Sequence, residues 1–165
     1  MNDNKSFIKA KNKGKKGETA VKEYFINKGY DVIDVSENKE FQKMDIDLII
    51  DGDFVEVKTQ SCINRSNKIV LELETEYYNS LFRKGWLYYT EANILMFHDK
   101  ENNITYSVDT DELRKLFDKY KDSKEIDYYY FDEESKISTL VYMPIDLIQN
   151  QLKSFKTIIH EQKTI

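Results

Sequence analysis

The residues best suited to chemistry lie between Met44 and Gln60, where the chain reads Met-Asp-Ile-Asp-Leu-Ile-Ile-Asp-Gly-Asp-Phe-Val-Glu-Val-Lys-Thr-Gln. Two apolar runs, Ile46 to Ile50 and Phe54 to Gln60, flank Asp51-Gly52, a dipeptide that accepts the positive φ angles of a tight hairpin turn. If those two residues form the loop, cross-strand partners have numbers that sum to 103. Asp47 then lies opposite Glu56 and Asp45 opposite Lys58, with both pairs on one face. A loop at Gly52-Asp53 changes the sum to 105 and still brings those faces together, whereas an unbulged three-residue loop separates them. Along the second strand Phe54, Glu56, Lys58 and Gln60 point one way, at about 6.6 Å per two residues, and Val55, Val57 and Thr59 the other.

Two carboxylates facing each other across a strand pair, with Cβ atoms about 5 Å apart, repel unless something neutralises them. A divalent cation would do so. Hard cations such as Mg²⁺ take oxygen ligands, often one or two carboxylates, and fill the remaining positions with water and phosphate oxygens. Asp47 and Glu56 suit that role. Lys58, two residues along the same face, can hold or help to deprotonate a water and offset charge on a phosphate. Asp45 competes with Asp47 for the metal, and Asp47 is preferred because it faces Glu56 directly. An aspartate near a hairpin or a Glu-x-Lys in a strand is ordinary on a solvated antiparallel face. Their combination is what points to a site.

Upstream, Lys16-Gly17-Glu18-Thr19-Ala20-Val21 opens a helical pattern in which Glu18 precedes Val21 by three residues and Phe25 by seven. Glu18 therefore stands at the end of the apolar stripe, within reach of the sheet edge. An acid in a first helical turn also suits the helix dipole without further duty. A helix glutamate, then a hairpin aspartate, then Glu56-Val57-Lys58 nine residues beyond Asp47, resembles the PD-(D/E)XK nuclease superfamily of restriction-endonuclease-like and Holliday-junction-resolvase-like proteins. The resemblance covers residues 14 to 60. It implies a restriction-endonuclease-like α/β core with a central mixed β-sheet flanked by helices, and a Mg²⁺- or Mn²⁺-dependent endonuclease acting on DNA rather than RNA, with branched or structured DNA as one form. It further implies that Asp47, Glu56 and the main-chain carbonyl of Val57 hold the metal, that Lys58 is the catalytic lysine, that Glu18 is an auxiliary acid and that Gln60 is a polar residue of the site facing nucleic acid. The proline of the superfamily's name is replaced here by Ile46 or Met44, depending on which aspartate is aligned. Gly85-Trp86-Leu87 and the stretch from Gln42 to Leu48 are loosely similar to phage and mobile-element members.

These residues need elements to position them. A helix is expected from Gly17 to Lys28, stopped by Gly29. Strands are expected at Val32 to Val35, Ile46 to Ile50, Phe54 to Gln60, Ile69 to Leu73, Trp86 to Thr90, Ile94 to His98 and Thr105 to Val108. Leu113, Leu116, Phe117 and Tyr120 mark a helix from Thr110 to Tyr120, with Asp109 and Glu112 spaced like a capping box. Pro144 suits a first helical turn, and Ile145, Ile148, Leu152, Phe155 and Ile159 form one apolar stripe behind it. No repeat or linker divides the chain, so residues 1 to 165 read as a single domain with a basic, flexible arm at 1 to 16.

The whole chain has 165 residues, 40% apolar and 33% charged, with a net charge of -5. That length excludes a large two-domain enzyme, and that apolar content excludes a disordered polymer. Without a long apolar run or a signal-like start, a cytoplasmic protein is expected, with no membrane partner. The single cysteine, Cys62, supports neither an internal disulfide nor a thiolate cluster and reads as inert. Residues 1 to 28 hold eight lysines against three acids, a charge of +5 that leaves -10 for the remainder. A basic segment before an acidic body suits a polyanion held at one edge, and Lys9, Lys11, Lys13, Lys15 and Lys16 are the expected phosphate contacts. Arg65, Lys68, Arg83 and Lys84 read either as further contacts or as charged loops, and the tyrosine-rich runs either as stacking platforms or as strand core. His98 and His160 lack metal or general-base spacing and read as structural or exposed. Two other readings compete with the nuclease: a catalytically silent nucleic-acid-binding or anti-defence regulatory protein on the same fold, and a protein-interaction domain with an acidic surface. A homodimer is an expected assembly.

Overall fold

The computed structural model describes residues 3 to 160 except 62, 80 and 134, with side chains described from Gly14 onward. Cys62 lies outside the described residues. The first helix, α1 (Asp3–Asn27), is longer than the apolar pattern predicts, because the lysine-rich segment continues the same helix toward the N-terminus. It ends in a left-handed Gly29 (φ 86°), with Tyr30 N–H donating to Phe25 C=O at 3.1 Å and Gly29 N–H to Ile26 C=O at 3.0 Å. Those two bonds satisfy the last carbonyls of the helix as in a Schellman cap.

Strand β1 (Val32–Asp34) and the short helix α2 (Lys39–Met44) lead into the hairpin β2 (Leu48–Ile50) and β3 (Asp53–Thr59). The hairpin register pairs Leu48 with Val55, Ile49 with Phe54 and Ile50 with Asp53, the arrangement expected from the Asp51-Gly52 loop. Asp51 (φ 49°) and Gly52 (φ 91°) both adopt the positive φ values that a type I′ turn needs. A short helix α3 (Ile63–Ser66), strands β4 (Lys68–Tyr77) and β5 (Phe82–Lys84) and the single turn of α4 (Trp86–Tyr89) then lead to β6 (Ile94–Asp99) and β7 (Ile104–Asp109). Helix α5 (Thr110–Tyr120), strands β8 (Asp127–Glu133) and β9 (Lys136–Pro144), helix α6 (Ile145–Gln151) and β10 (Lys156–Ile159) follow among the described residues.

Two sheets result. The first has the order β1-β2-β3-β6-β7-β10 and is mixed, since β3 and β6 run parallel while its other pairs are antiparallel; the second, antiparallel, has the order β5-β4-β9-β8. Helix α1 covers one face of the first sheet, where Val21 packs with Leu48, Val55, Val57 and Met96. The opposite face carries Leu95 and Phe97, which share the main core with Ile69 and Leu71 of β4, Val141 and Met143 of β9 and the apolar faces of α4, α5 and α6. The fold is therefore mixed α/β, a multi-stranded sheet flanked by helices. No described helix is long and apolar enough to cross a membrane.

Several expectations are corrected. Trp86 to Thr90 is a helical turn rather than a strand: Arg114 donates to Leu87 C=O and Thr90 C=O, both at 2.7 Å, and so satisfies carbonyls a strand would have paired laterally. The tail helix stops at Gln151, because the free edge of β7 recruits residues 156 to 159 as β10, and Phe155 stacks on Tyr106 on the way. β4 runs beyond Leu73 to Tyr77. Strands β5, β8 and β9 and helix α2 carry no clear periodic signal. Tyr128 to Phe131 do form a strand, but an exposed one. Asp109 caps α5 by accepting from Glu112 N–H at 2.8 Å, whereas the Glu112 carboxylate binds Ser154 instead of returning to Asp109. His98 and His160 are both buried, bridged through the Thr105 hydroxyl at 3.0 and 2.7 Å.

Candidate functional site

The hairpin register extends one residue past the ladder of β2. Asp47 N–H donates to Val55 C=O at 2.9 Å, and the Asp47 carboxylate accepts the Val57 N–H at 2.9 Å. A strand residue's N–H and C=O point to the same edge. The Val57 carbonyl therefore faces the edge that β2 has left open, toward Asp47. The Asp47 and Glu56 carboxyl groups line the same cleft, close enough for the charge of Asp47 to act on Glu56.

Glu56 is only 4% exposed, unlike the carboxylate of an ordinary solvated antiparallel face. The reason is tertiary: α1 packs on the Val55–Val57 face of β3, and on the other face the Lys58 side chain contacts Glu56 with Trp86 of α4 beyond it, so residues 55 to 57 are buried on both faces. The Lys58 ammonium contacts the Glu56 carboxylate and reaches the Asp45 carboxylate at 3.2 Å. Its other side lies over the Trp86 ring, 5.2 Å from the centroid.

Glu18 reaches the same place from α1. Gly17 permits this, since a Cβ there would lie 1.9 Å from the Thr59 hydroxyl and 3.1 Å from Thr59 Cβ. Helix and strand approach as closely as a glycine allows. Glu18, Asp47, Glu56, Val57, Lys58 and Gln60 line one cleft of about 460 Å³.

Burial sets the electrostatics. It pushes the Glu18 carboxyl up to about 7, reinforced by the charges of Asp47 and Asp34. Burial likewise raises Asp47, against the opposing bond from Val57 N–H. Glu56 is raised by burial and then by Asp47 and Asp45, with Lys58 opposing. For Lys58 burial works downward, but the neighbouring Glu56 and Asp45 outweigh it and hold the ammonium protonated. Such a cluster of acids gains by taking up either protons or a cation.

Among the described residues no group of three or more His, Cys, Asp or Glu side chains is disposed to hold a metal ion unaided. The donor set nevertheless fits a hard divalent cation that keeps waters: two carboxylates and a peptide carbonyl lining one cleft. A structural, all-protein cage does not fit.

The remaining residues read from sequence are placed differently. Gln60 is not free for a ligand: its amide donates to Val70 C=O at 2.6 Å and accepts Val70 N–H at 2.8 Å, which fastens β3 to β4. Lys15 is exposed and paired with Glu37 at 2.7 Å, and Lys16 is exposed. The side chains of Lys9, Lys11 and Lys13 lie outside those described, although their backbone belongs to α1. Lys68 pairs with Asp127, and Arg83 lies over the Tyr77 ring at 5.5 Å. The Asp45–Lys58 contact is the one the hairpin register pairs, whereas Trp86 is a neighbour of Lys58 that no spacing rule singles out, because it comes from a distant helical turn.

No protein-family model and no curated protein matches the chain. Among solved structures, the chain is similar to the bacterial homing endonuclease I-Ssp6803I, with 15% identity, a TM-score of 0.49, and coverage of 78% of this chain and 76% of that one.

Proposed function

We propose that this protein is a divalent-metal-dependent endonuclease of the PD-(D/E)XK type that hydrolyses phosphodiester bonds in DNA. The observation that carries this reading is the convergence of Glu18, Asp47, Glu56 and Lys58, from a helix and both arms of a hairpin, on one cleft. Asp47, Glu56 and the Val57 carbonyl are the residues to hold Mg²⁺ or Mn²⁺, which when bound supplies Lewis-acid polarisation of a phosphate and of a water. The chain's own groups do the rest. Lys58 Nζ, held protonated, offsets charge that develops on the phosphate oxygens. The Glu18 carboxyl, with its pKa near neutrality, can accept or return a proton at working pH. The exposed Lys15 and Lys16 on α1 lie in sequence just before Glu18, where a phosphate backbone entering the cleft would meet them.

The test is cleavage of a panel of linear, branched and supercoiled DNA and of RNA by the full chain in Mg²⁺ or Mn²⁺. DNA is expected to be cut. Lys58→Ala and Glu56→Ala should each lower the rate by at least about 100-fold, while retention of DNA survives. Full activity in either variant would remove the assignment, and binding without any cleavage by the wild-type chain would favour a silent regulator on the same fold.

A further inference from the structure

Glu56 is claimed from two sides: its carboxyl group shares the cleft with that of Asp47, where the proposed cation would sit, and also contacts the Lys58 ammonium. A lysine held only by Glu56 would lose its position whenever Glu56 turned to another positive group. Lys58 has two further partners that belong to neither the Asp47–Glu56 pair nor the helix glutamate. The Asp45 carboxylate lies 3.2 Å from Nζ, and the Trp86 ring 5.2 Å away.

Both are fastened independently of the hairpin ladder. Asp45 caps α2 in the left-handed conformation (φ 58°), its N–H donating to Gln42 C=O at 3.3 Å, and its carbonyl accepts the Thr90 hydroxyl at 3.0 Å. Its side chain is therefore carried by a backbone tied to α2 on one side and to the end of α4 on the other. Trp86 starts α4 after Gly85, where a Cβ would lie 2.2 Å from the Glu72 carbonyl oxygen, so the turn sits tight against β4. Arg114 anchors the far end of the same turn.

We propose that Asp45 is a positioning residue for Lys58: with Trp86 beneath, its carboxylate keeps the ammonium in place while Glu56 is engaged with the metal. The catalytic meaning of this role rests on the nuclease reading above; the contact itself does not. Asp45, which the sequence offers as a rival metal ligand, is thereby given a different role.

The informative change is Asp45→Asn, because asparagine tolerates left-handed backbone, keeps the shape and removes the charge. Trp86 is the sole tryptophan, so its emission reports the ammonium over its ring without any cleavage. In the full-length protein without metal, Asp45→Asn and Lys58→Met should each shift that emission, and Asp45→Asn should add nothing in the Lys58→Met background. In plasmid cleavage with Mg²⁺, Asp45→Asn should lower kcat about 10- to 100-fold at unchanged KM, the effect of a misplaced group rather than a lost binding contact. Unchanged emission in folded Asp45→Asn, additive shifts in the double variant, or a wild-type kcat would each overturn the proposal. Coupled emission shifts in a chain that cuts no nucleic acid would instead sink the nuclease reading and leave the Asp45–Lys58–Trp86 arrangement standing. If Asp45→Asn does not fold, Asp45→Gly, which accepts the same φ without steric cost, carries the same outcomes.

Discussion

Glu18 shows what a single residue gives up to stand in this cleft. Its carboxyl is raised to about 7 by burial, with Asp47 and Asp34 adding to the effect, whereas in an unfolded chain it would titrate near 4.5. A raised acid is tolerated in the folded state while it carries its proton, so it has no cost below about pH 4.5, destabilises progressively as pH rises from there toward 7, and reaches its full cost above 7. Glu18→Gln should therefore stabilise the protein at pH 8 by about 1–3 kcal/mol, and leave its stability near pH 4 unchanged. Thermal melts of the two chains at both pH values measure this; equal melting temperatures at pH 8 would mean that the carboxylate is not desolvated. A residue that lowers stability while occupying the shared cleft is what a site, rather than a structural ion pair, predicts.

At the scale of elements, the site depends on how β3 is held from its sides. Hairpin chemistry is local, and for that reason the register of β2 and β3 follows from Asp51-Gly52 alone. The same locality covers the helix at Thr110 to Tyr120 and the strands at Ile94 to Asp99 and Ile104 to Asp109. The aromatic run at Trp86 is not legible that way, because what makes it helical is Arg114, 28 positions away from Trp86 in the chain. The tail departs from its pattern for a similar reason: its apolar stripe suits a helix, but pairing with the open edge of β7 outweighs propensity. Gln60 illustrates the limit most clearly. Its alternation with Glu56 and Lys58 suggests a ligand contact, yet its amide completes the backbone pairing of Val70. Gln60→Ala should thus cost about 1–3 kcal/mol by leaving those two backbone groups unpaired, and reduce stability in proportion to, or more than, nucleic-acid affinity. Unaltered stability with a large loss of DNA affinity would return Gln60 to the binding surface.

For the molecule as a whole, the proposed metal should be visible without any substrate. A ligand that binds only the folded state stabilises it by about 2.7 kcal/mol at a concentration 100 times its Kd. Mn²⁺ should therefore raise the melting temperature of the wild-type chain, and Asp47→Asn should abolish the rise. An equal rise in both chains would place cation binding elsewhere on the acidic body. The charge distribution matters at this scale too: the total of -5 divides into +5 over residues 1 to 28 and -10 beyond. Part of that acidity is concentrated at Asp45, Asp47 and Glu56, beside the helix that carries the lysines and Glu18.

By itself the sequence determined the hairpin, its register and the one face shared by Asp47, Glu56 and Lys58, because a two-residue turn with positive φ leaves little choice of pairing. It also determined the cap and apolar stripe of α5, where the signals lie within a few residues of one another. Only the tertiary structure decided that Glu56 is buried rather than solvated, that Gln60 serves the backbone of β4, and that Trp86 lies over Lys58. Each of those depends on which distant strand or turn comes to lie beside β3. Desolvation and hydrogen-bond satisfaction are properties of the assembled neighbourhood, and no pattern within the hairpin encodes them.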